Sequence, residues 1–403
     1  MSVKIAVTGL GIVSCVGQDP NTVWHNVSNV ISGITQHPSY PNAVIKTKKV
    51  GHVLNFKLDS VFNPRWHQKT DRHIQFGLNA AKQAIEQSGL DISSMDSSRI
   101  HTIMGTSMGG YDFIIENQQR VSKGLPVLPG FMPGHLLNMM SSYINMHYGI
   151  QGSGLAISAA CAGGNSSLAI ASMMIETGLA DVVVAGASDC WINDLCIGGI
   201  ESLGALSYED VMPRPFDVDR SGFAIAEGAG VLVLESQEHA RRRNADILCY
   251  MSGWGLSSDA EHPTSPANSG DPAARAIRAA LAKAQLNVDD IDYVNAHATG
   301  TLVGDPVECK TLFNIFGNKP YVSSTKSVHG HGIGSASLIE SVICILSLRN
   351  NQVPGTINLK NIDINCPGNH VTETIDTNVS HVINNSFGFG GANAFVIFSK
   401  DTA

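Results

Sequence analysis

The sequence has few charged residues and no long apolar run. Charged side chains make up 15% of its 403 residues, and the formal net charge is −8 at pH 7. A protein of this charge is a poor match for nucleic acid or for an anionic membrane surface, so neither is expected as a partner. No stretch holds 18 uninterrupted apolar residues, and we therefore expect no membrane span. The first residues lack a charged leader and a cleavage site, and they are predicted to form a buried strand.

The sequence also lacks any Cys-x-x-Cys pair. Its eight cysteines are scattered, mostly in apolar surroundings. This is the pattern of a reduced, cytoplasmic protein whose thiols are mostly core residues. The cysteine count alone identifies no nucleophile.

Glycine, in contrast, is abundant, with 40 residues. Short apolar runs that end in glycine or small residues alternate with segments of helical periodicity, such as residues 73–89, which should end as a helix at Gly89. A similar order of strands and helices begins again near Ile247. Because 403 residues exceed what one core usually supports, we predict an α/β protein with two pseudo-repeated halves, residues 1–245 and 246–403, in one compact body.

Cys161 stands between a strand-like run and an amphipathic segment, in the sequence AISAACAGGNSSLAIASMM. The small residues around it would permit a sharp turn and leave space for a substrate. A thiol at the start of a helix is favoured as the thiolate by the helix dipole and by free N–H groups. Most cysteines are core residues, however, so a structural thiol is the alternative.

His297 follows a strand-like run in the segment NAHATGTLVGDPVE. Active-site residues of α/β folds often lie at such strand ends. Thr299 and Thr301 flank Gly300 and offer two hydroxyls on a flexible turn. A histidine in this position could be structural or catalytic.

The segment STKSVHGHGIG contains His329 and His331, and Lys326 lies five residues before the second histidine. The His-x-His pair could chelate a metal, but no nearby Cys, His or carboxylate has a familiar zinc spacing, so no metal is expected. Lys326 could instead keep a histidine neutral, because a like charge disfavours protonation. A neutral imidazole can donate a hydrogen bond to an oxyanion.

Two glycine-rich segments suggest nucleotide binding only weakly. NNSFGFGGANAF is not followed by the Lys-Ser/Thr of a phosphate-binding loop, and TGLGIVS has no ribose-binding acid at the expected distance. A backbone N–H within residues 388–390 could instead contribute to an oxyanion hole.

Taken in order, six motifs resemble those of the β-ketoacyl-ACP synthases with a Cys-His-His active site. The motifs are TGLGIVSCVG, SAACAGG, RPFDVDRSGFAIAEGAG, NAHATGTLVGDPVE, STKSVHGHGIGSASLIE and NSFGFGGANAF. The resemblance implies a thiolase fold, with five layers in the order α-β-α-β-α. It also implies decarboxylative condensation of an acyl thioester with malonyl-ACP, in fatty acid or type II polyketide or polyene biosynthesis. No cofactor is implied beyond the phosphopantetheine arm of the acyl carrier protein.

The resemblance assigns roles to the residues of these motifs. Cys161 would attack the acyl thioester and hold the chain. His297 and His331 would polarise the malonyl thioester carbonyl, promote decarboxylation and stabilise the enolate. The backbone N–H groups of Cys161 and Phe389 would form the oxyanion hole, and Phe389 would also gate the access of the malonyl group.

Other positions match the family's supporting and substrate-binding residues. Lys326 would tune His331, and Glu340 would belong to the supporting network. Thr299 and Thr301 would bind the pantetheine arm. The remaining substrate contacts implied by the resemblance are Met108, Ile200 and Phe387.

The sequence departs from the family in several motifs. His329 stands where relatives commonly have threonine, and its role is unassigned. Ala298 replaces a glycine, and Gly204 replaces an arginine that in many members helps to dock the acidic carrier. The expected docking patch then consists of Arg65, Lys69 and Arg72.

Related protein classes share parts of this pattern. A non-elongating subunit of the chain-length-factor kind usually lacks the reactive cysteine, which is present here. A thiolase would carry a second reactive cysteine where this sequence has SFGFGG, and the initiating type III synthases have asparagine at the position of His331. We expect a homodimer, with a heterodimer with a chain-length-factor-like subunit as the alternative. The acyl substrate is left open.

Overall fold

The computed structural model of the protein describes residues 3–38, 45–63, 70–207 and 210–400. Its strands are β1 (Ile5–Ser14), β2 (Thr35–Gln36), β3 (Lys49–Val50), β4 (Ile100–Gly105), β5 (Gly154–Ile157), β6 (Val182–Asp189), β7 (Gly228–Ser236), β8 (Cys249–Ser258), β9 (Tyr293–Asn295), β10 (Tyr321–Ser323), β11 (Gln352–Val353), β12 (Asn369–His370), β13 (Ile375–Asp376), β14 (His381–Gly388) and β15 (Ala392–Ser399).

The α-helices alternate with these strands along most of the chain. They are α1 (Pro20–Ser28), α2 (Arg72–Ser88), α3 (Tyr111–Ser122), α4 (Phe131–His135), α5 (Met139–Tyr148), α6 (Gly163–Glu176), α7 (Asp194–Ser202), α8 (Gln237–Arg242), α9 (Asp271–Ala284), α10 (Gly304–Phe316), α11 (Lys326–His329) and α12 (Ala336–Asn350). Helix α2 ends at Gly89, which has a φ of 63°, so the helix stop predicted from the sequence is confirmed.

The largest sheet repeats one strand order on both sides of its centre. Counted outward, the N-terminal side runs β1, β7, β6, β4, β5, and the C-terminal side runs β8, β15, β14, β9, β10, with β12 at the far edge. Strands β1 and β8 join the two sides through a short antiparallel pairing that begins at Ile5 and Met251. The two halves therefore share one topology, as the repeated order of elements predicts. The division between residues 245 and 246 stays a prediction.

The two halves also repeat a close contact between the central strand and the helix outside it. A Cβ atom added at Gly11 of β1 would lie 2.0 Å from the carbonyl oxygen of Ala80 in α2. A Cβ atom added at Gly255 of β8 would lie 1.9 Å from the carbonyl oxygen of Ala276 in α9. Only glycine permits this approach of strand to helix. A glycine in the central strand thus lets the outer helix pack closely against the sheet in each half.

Helices α6 and α12 form the middle layer between the two halves of the sheet. Helix α6 packs against β4, β6 and β15, while α12 packs against β7 and β14. Helix α2 covers the outer face of one half, and α9 covers that of the other. The layers follow the order α-β-α-β-α, and this arrangement places the start of α6 beside loops of the C-terminal half.

Helix α12 is buried along almost its whole length, from Ala336 to Leu348. Within the described residues, the stretch Ile333–Asn350 is the one candidate for a membrane span by length and composition, yet 83% of it is buried inside the protein. A helix that is buried on all sides and is mostly apolar fits the middle of a layered fold. Its composition is therefore explained by the two sheets that enclose it.

Candidate active site

Cys161 lies in a sharp turn just before helix α6. The preceding residue, Ala160, has a φ of 46°, which is unusual for a residue with a side chain. Ala162 is the N-cap residue of α6, so the thiol lies at the start of a helix, as the surrounding sequence suggests. Ser386 Oγ donates a hydrogen bond of 2.9 Å to the carbonyl oxygen of Cys161. This contact ties the turn to strand β14 of the other half.

The protonation state of Cys161 differs from the sequence expectation. Burial raises the pKa of its thiol to about 12, although the charge of Lys326 lowers it. The position at a helix start favours the thiolate, but the thiol is only 7% exposed, and the loss of hydration outweighs the helix. The side chain of Cys161 is therefore held as a neutral thiol.

His331 contacts the thiol of Cys161. Its Nε2 lies 3.1 Å from the Sγ atom of Cys161. The backbone N–H of His331 donates to the carbonyl oxygen of Ala224, and its own carbonyl accepts from the N–H of Ala226. Burial, and then the charge of Lys326, hold the pKa of His331 well below its usual value. The imidazole is therefore neutral and can accept a proton.

His297 completes a group of three side chains at one point. Its ring is nearly perpendicular to the ring of His331, with centroids 5.3 Å apart. Burial and the charges of Lys326 and His331 lower the pKa of His297 well below its usual value. Its Nδ1 atom has no hydrogen-bond partner among the described residues. Two neutral imidazoles and a thiol thus converge, from both halves of the fold.

Glu308 of helix α10 fixes the loop that carries His297. Its Oε1 atom accepts from the backbone N–H of His297 at 2.9 Å, and its Oε2 atom accepts from that of Ala298 at 2.7 Å. The side chain of Asn385 donates to the same carboxylate at 2.9 Å. No sequence pattern singles out Glu308, although it ends the motif NAHATGTLVGDPVE. Its partners become visible only in the folded chain.

Asp189 is a second buried carboxylate that sequence reasoning missed. It ends strand β6 and accepts from the side chain of Thr106 and from the backbone N–H of Ser107. It also accepts from the N–H of Gly334 at 2.8 Å. Asp189 therefore joins the segment after His331 to the N-terminal half. A polar residue at the end of the run ADVVVAGASD is the only signal that points to it.

Lys326 and Glu340 form a buried ion pair behind the imidazoles. The Lys326 Nζ lies 2.5 Å from the Glu340 Oε1, and both side chains are almost completely buried. Burial raises the pKa of Glu340 to about 7, while Lys326 lowers it. The same lysine lowers the pKa of the Cys161 thiol and of both converging histidines. One cation therefore acts on every reactive group of the site.

His329 lies in the same buried region but does not contact the thiol. Its Nε2 is 3.2 Å from the Oγ1 of Thr325 and 3.9 Å from the Oε1 of Glu340. Burial lowers its pKa to about 3. His331, in contrast, faces Cys161. Within the described residues, no group of three or more His, Cys, Asp or Glu side chains is arranged to hold a metal ion.

A cavity of about 530 Å³ lies over the converging groups. The residues predicted from the sequence that line it are Cys161, Ile200, His297, Thr299, Thr301, His331, Phe387 and Phe389. Met108 is not among the residues that line this cavity and instead packs at the margin of the apolar cluster around Cys161. Trp191, which the sequence argument did not consider, lines the cavity beside Cys161 and Ile200.

Strand β14 and the glycines after it form one wall of the cavity. A Cβ atom added at Gly388 would lie 3.3 Å from the backbone nitrogen of Cys161, so the chain passes very close to the nucleophile turn. Phe389 follows and is 39% exposed. The ring of Phe387 lies 5.9 Å from that of His297. Both aromatic residues line the cavity together with Cys161 and His297.

The structure describes only one of the three predicted carrier-docking residues, Arg72. Arg65 and Lys69 lie outside the described residues. The guanidinium of Arg72 lies 2.9 Å from the Oε1 of buried Glu227 and also donates to the carbonyl oxygen of Val53. Because these contacts occupy the guanidinium, the structure gives Arg72 a role in holding its own helix. Its part in docking stays a prediction.

The cavity opening at Gly204 is apolar. Gly204 lines the cavity next to Leu203 and Leu302, which are 52% and 66% exposed. Gly204, where the resemblance implies an arginine, thus shares the cavity wall with two exposed leucines.

Comparisons with known proteins agree with this site. Residues 2–240 match the model of the β-ketoacyl synthase N-terminal domain, and residues 248–360 match that of the C-terminal domain. The chain belongs to the β-ketoacyl synthase family. It is therefore an acyltransferase of the condensing type, and the resemblance inferred from six motifs is confirmed.

A curated relative and two solved structures extend the match to the whole chain. A 3-oxoacyl-[acyl-carrier-protein] synthase 2 of Coxiella burnetii is 34% identical over 98% of this chain and 98% of its own. The ishigamide ketosynthase/chain length factor superposes with a TM-score of 0.92 at 29% identity, over 99% of this chain and all of that one. A type II polyketide ketosynthase in complex with its acyl carrier protein superposes with a TM-score of 0.91 at 29% identity, over the same shares. The thiolase fold of the condensing enzymes is confirmed.

Proposed function

We propose that this protein is a β-ketoacyl-ACP synthase that joins an acyl group held on Cys161 to malonyl-ACP with loss of CO₂. The observation that carries the proposal is the 3.1 Å contact between the Sγ of Cys161 and the Nε2 of His331. A second neutral imidazole, that of His297, lies beside this pair at the base of the cavity. A thiol, a base and a second donor at one point are the groups that the reaction requires.

In the first step, the acyl group moves from its carrier to the thiol. The Sγ of Cys161 attacks the acyl carbonyl while its proton passes to the Nε2 of His331. The bond between the carbonyl carbon and the pantetheine sulfur breaks, and the departing thiolate takes the proton. Backbone N–H groups of Cys161 and Phe389 stabilise the oxyanion. The product is an acyl-cysteine thioester, which conserves the energy of the original thioester.

In the second step, decarboxylation generates the carbon nucleophile. The bond to the malonyl carboxylate breaks, CO₂ leaves, and the electron pair forms an enolate whose oxygen accepts hydrogen bonds from His297 and His331. The enolate carbon attacks the acyl carbonyl on Cys161, and the carbon–sulfur bond breaks. One proton is taken up to restore the thiol.

The protonation states of the imidazoles suit both steps. The low pKa values of His297 and His331 keep the rings neutral, so that they donate to the enolate oxygen without protonating its carbon. The Nδ1 atoms of both rings lack partners among the described residues, so no hydrogen bond locks either tautomer. His331 can therefore serve as acceptor in the first step and as donor in the second.

The acyl carrier protein is the proposed macromolecular partner. Thr299 and Thr301 line the cavity and are assigned to the pantetheine arm, because their hydroxyls can bond to its amide groups. The apolar rim at Leu203 and Leu302 would contact the arm where it enters. One structural neighbour is itself a complex of a ketosynthase with its carrier, which supports this partner.

A dimer through strand β5 is the proposed assembly. This strand forms the edge of the main sheet, and its Leu155 is 41% exposed. An unpaired edge with an apolar side chain invites pairing with a second chain. The partner is either a second copy, as the sequence predicts, or a chain-length-factor-like subunit, as in a structural neighbour. Cytoplasmic residence belongs to the same proposal, and eight free cysteines support it.

The decisive test first acylates Cys161 and then measures whether condensation removes the acyl group. The protein is incubated with a panel of acyl carriers, and intact mass together with peptide mapping locates the acyl group. Malonyl-ACP is then added, and CO₂ release and β-ketoacyl-ACP are measured. We expect acylation of Cys161 and its loss on condensation, with Cys161→Ala as the inactive control. No acylation with any carrier and no malonyl decarboxylation would disprove the proposal.

A further inference from the structure

The cavity over Cys161 has an open end and a closed end. Exposed residues that line the cavity mark its opening, and they include Leu203, Thr264, Ser265 and Leu302. Buried apolar residues that line it mark the closed end, and they include Trp191, Ile200, Phe223 and Ile333. Cys161 belongs to the same apolar cluster as these four. An acyl group on its thiol therefore lies against the apolar wall of the closed end.

The apolar cluster continues beyond the wall of the cavity. Four of the residues that form the cluster or pack against it do not line the cavity, and these are Met108, Tyr111, Cys196 and Ile197. The cavity thus stops short of Met108, which the resemblance implies as a substrate contact. Among the residues of the closed end, Trp191 has the largest side chain. It therefore fills the most volume at this end.

Side chains hold the backbone on both sides of Trp191. The thiol of Cys190 donates to the Oε2 of Glu227 at 2.8 Å. The backbone N–H of Asn193 donates to the carbonyl oxygen of Trp191 at 2.9 Å, and the Asn193 side chain donates to the Oδ1 of Asp112 at 2.7 Å. These contacts fix the main chain that carries the indole. A wall that is held in this way can discriminate substrates by size.

The indole of Trp191 is held by packing. Its Nε1 atom is buried and has no hydrogen-bond partner among the described residues, while the residue as a whole is 9% exposed. A phenylalanine at this position would keep a ring in the wall and lose no hydrogen bond to the protein. Alanine or leucine would instead open the wall. The effect of bulk can therefore be separated from that of the N–H.

The volume of the cavity limits the acyl group that fits. The cavity has about 530 Å³, and at about 30 Å³ for a group of the size of a water molecule it holds roughly 18 such groups. Thr299 and Thr301 line the same cavity, so the pantetheine arm must share it. On the order of half of the space, or roughly eight carbons, then remains for the acyl chain.

We propose that Trp191 is a specificity-determining residue that closes the acyl end of the cavity, so that Cys161 accepts acyl groups of up to roughly eight carbons. The inference rests on the proposed function, because it assumes that the acyl group is held on Cys161. A longer chain would have to displace an indole whose main chain is fixed. Since interiors are close-packed, removal of the ring should admit chains longer by on the order of four carbons.

The test measures acylation of Cys161 in the full-length protein by S-acyl pantetheine thioesters with four, eight, twelve or sixteen carbons. The thiol of Cys161 displaces the thiol of pantetheine, so no further reagent is needed. Intact mass and peptide mapping give the rate for each chain length. The rates are compared within one protein, so a general change in thiol reactivity cancels.

The variants separate bulk from other effects. Trp191→Ala and the milder Trp191→Leu open the wall, and Trp191→Phe keeps a ring in it. Trp254→Ala is the matched control, because Trp254 does not line the cavity. Thermal unfolding shows which variants are folded, and the use of both Ala and Leu means that the result does not depend on a single variant.

We expect the wild type to react at least about tenfold more slowly with twelve carbons than with eight, because an apolar pocket rejects surplus methylenes by such factors. Trp191→Ala and Trp191→Leu should abolish this difference. Trp191→Phe and Trp254→Ala should retain it.

Equal rates for all chain lengths in the wild type would overturn the inference, and so would an unchanged length limit in the Ala and Leu variants. Loss of the limit in Trp191→Phe would also overturn it, because a ring in the wall would then not be its cause. If no thioester acylates Cys161, the proposed function is refuted and this inference with it. Failure of the inference alone therefore has a different result from failure of the proposed function.

Discussion

This protein has two buried carboxylates that are each paired with a cation, and their pKa values are shifted in opposite directions. Glu235 of strand β7 is completely buried, and burial alone would raise its pKa, but hydrogen bonds from Arg243, His239 and Thr8 lower it to about 2. Glu340 of helix α12 is equally buried and has its Lys326 partner at 2.5 Å. Its pKa is nevertheless raised to about 7.

The two sites differ in the number of donors and in how deeply the pair is buried, since the side chain of Arg243 is 19% exposed and that of Lys326 is 1% exposed. Both oxygens of Glu235 accept hydrogen bonds, with Arg243 bonded to each of them, whereas one oxygen of Glu340 has no partner among the described residues. A buried ion pair is stable when the remaining lone pairs are satisfied and is precarious otherwise. The Arg243–Glu235 pair is therefore locked in one charge state. Glu340 of the Lys326–Glu340 pair can be either charged or neutral near pH 7. This pair is the one that lies behind the imidazoles of His297 and His331.

The largest expected effect is the loss of malonyl decarboxylation when His331, which lies near the Lys326–Glu340 pair, is replaced. His331→Ala should reduce malonyl decarboxylation by at least about 10³-fold, because it removes both the base for the thiol and a donor to the enolate oxygen. His329→Thr, two residues away, should leave a working enzyme. Both are measured as CO₂ release from malonyl-ACP. Equal losses in the two variants would mean that the histidines act as a unit.

Removal of Lys326 from the Lys326–Glu340 pair should reduce activity more than stability. We expect Lys326→Met to lower the rate of decarboxylation by about 10²-fold, because the electrostatic control of the imidazoles is lost. Its unfolding free energy should fall by less than about 2 kcal/mol, since Glu340 can bind a proton at neutral pH and leave no unpaired charge. Urea unfolding at pH 7 measures this. A loss as large as that expected next for Arg243→Met would show that Glu340 stays ionised.

Removal of Arg243 from the Arg243–Glu235 pair should reduce stability and leave activity unchanged. Arg243→Met should reduce the free energy of unfolding by about 4 kcal/mol at pH 7, because Glu235 is left charged and buried with fewer donors. The rate of condensation per folded molecule should not change, since Arg243 does not line the active-site cavity. Urea unfolding and activity on one preparation test both statements. A parallel loss of specific activity would contradict the division of roles between the two pairs.

The last expected effect is a dependence of the free energy of unfolding on pH. Because the pKa of Glu235 is about 2 in the folded protein and ordinary in the unfolded chain, its ionisation stabilises the fold above about pH 4.5, and this contribution disappears as pH falls toward 2. Glu235→Gln should therefore lose on the order of 3 kcal/mol at pH 7 and progressively less in acid. Urea titrations at pH 7, 5 and 3 give the comparison. A penalty that does not vary with pH would refute the assigned ionisation.

Much of the active site could be predicted from local sequence. The small residues around Cys161 and the helical periodicity after it indicate the turn at the start of α6. His297 follows a strand, and Lys326 and His331 occupy the spacing of a known motif. These are short-range patterns, and the chain keeps them in any context that permits the same strand, turn and helix.

Other features could not be predicted, because they depend on segments that are distant in the chain. Glu308 holds the loop of His297 through backbone N–H groups, which no sequence pattern reveals. Arg72 appears in the sequence as a free surface cation, yet its guanidinium lies against Glu227, 155 residues away. Arg65 and Lys69 of the same predicted patch lie outside the described residues, so that patch stays untested.

The sequence by itself determined the repeated α/β topology, the family and the identity of the residues that meet at the site. Tertiary structure alone decided their charge states. The helix position of Cys161 favours a thiolate, but burial by both halves of the fold raises its pKa to about 12. Glu340 and Glu235 are both glutamates with buried side chains, and they differ because ionisation depends on how many donors the folded chain brings to each oxygen and on how deeply it buries the pair.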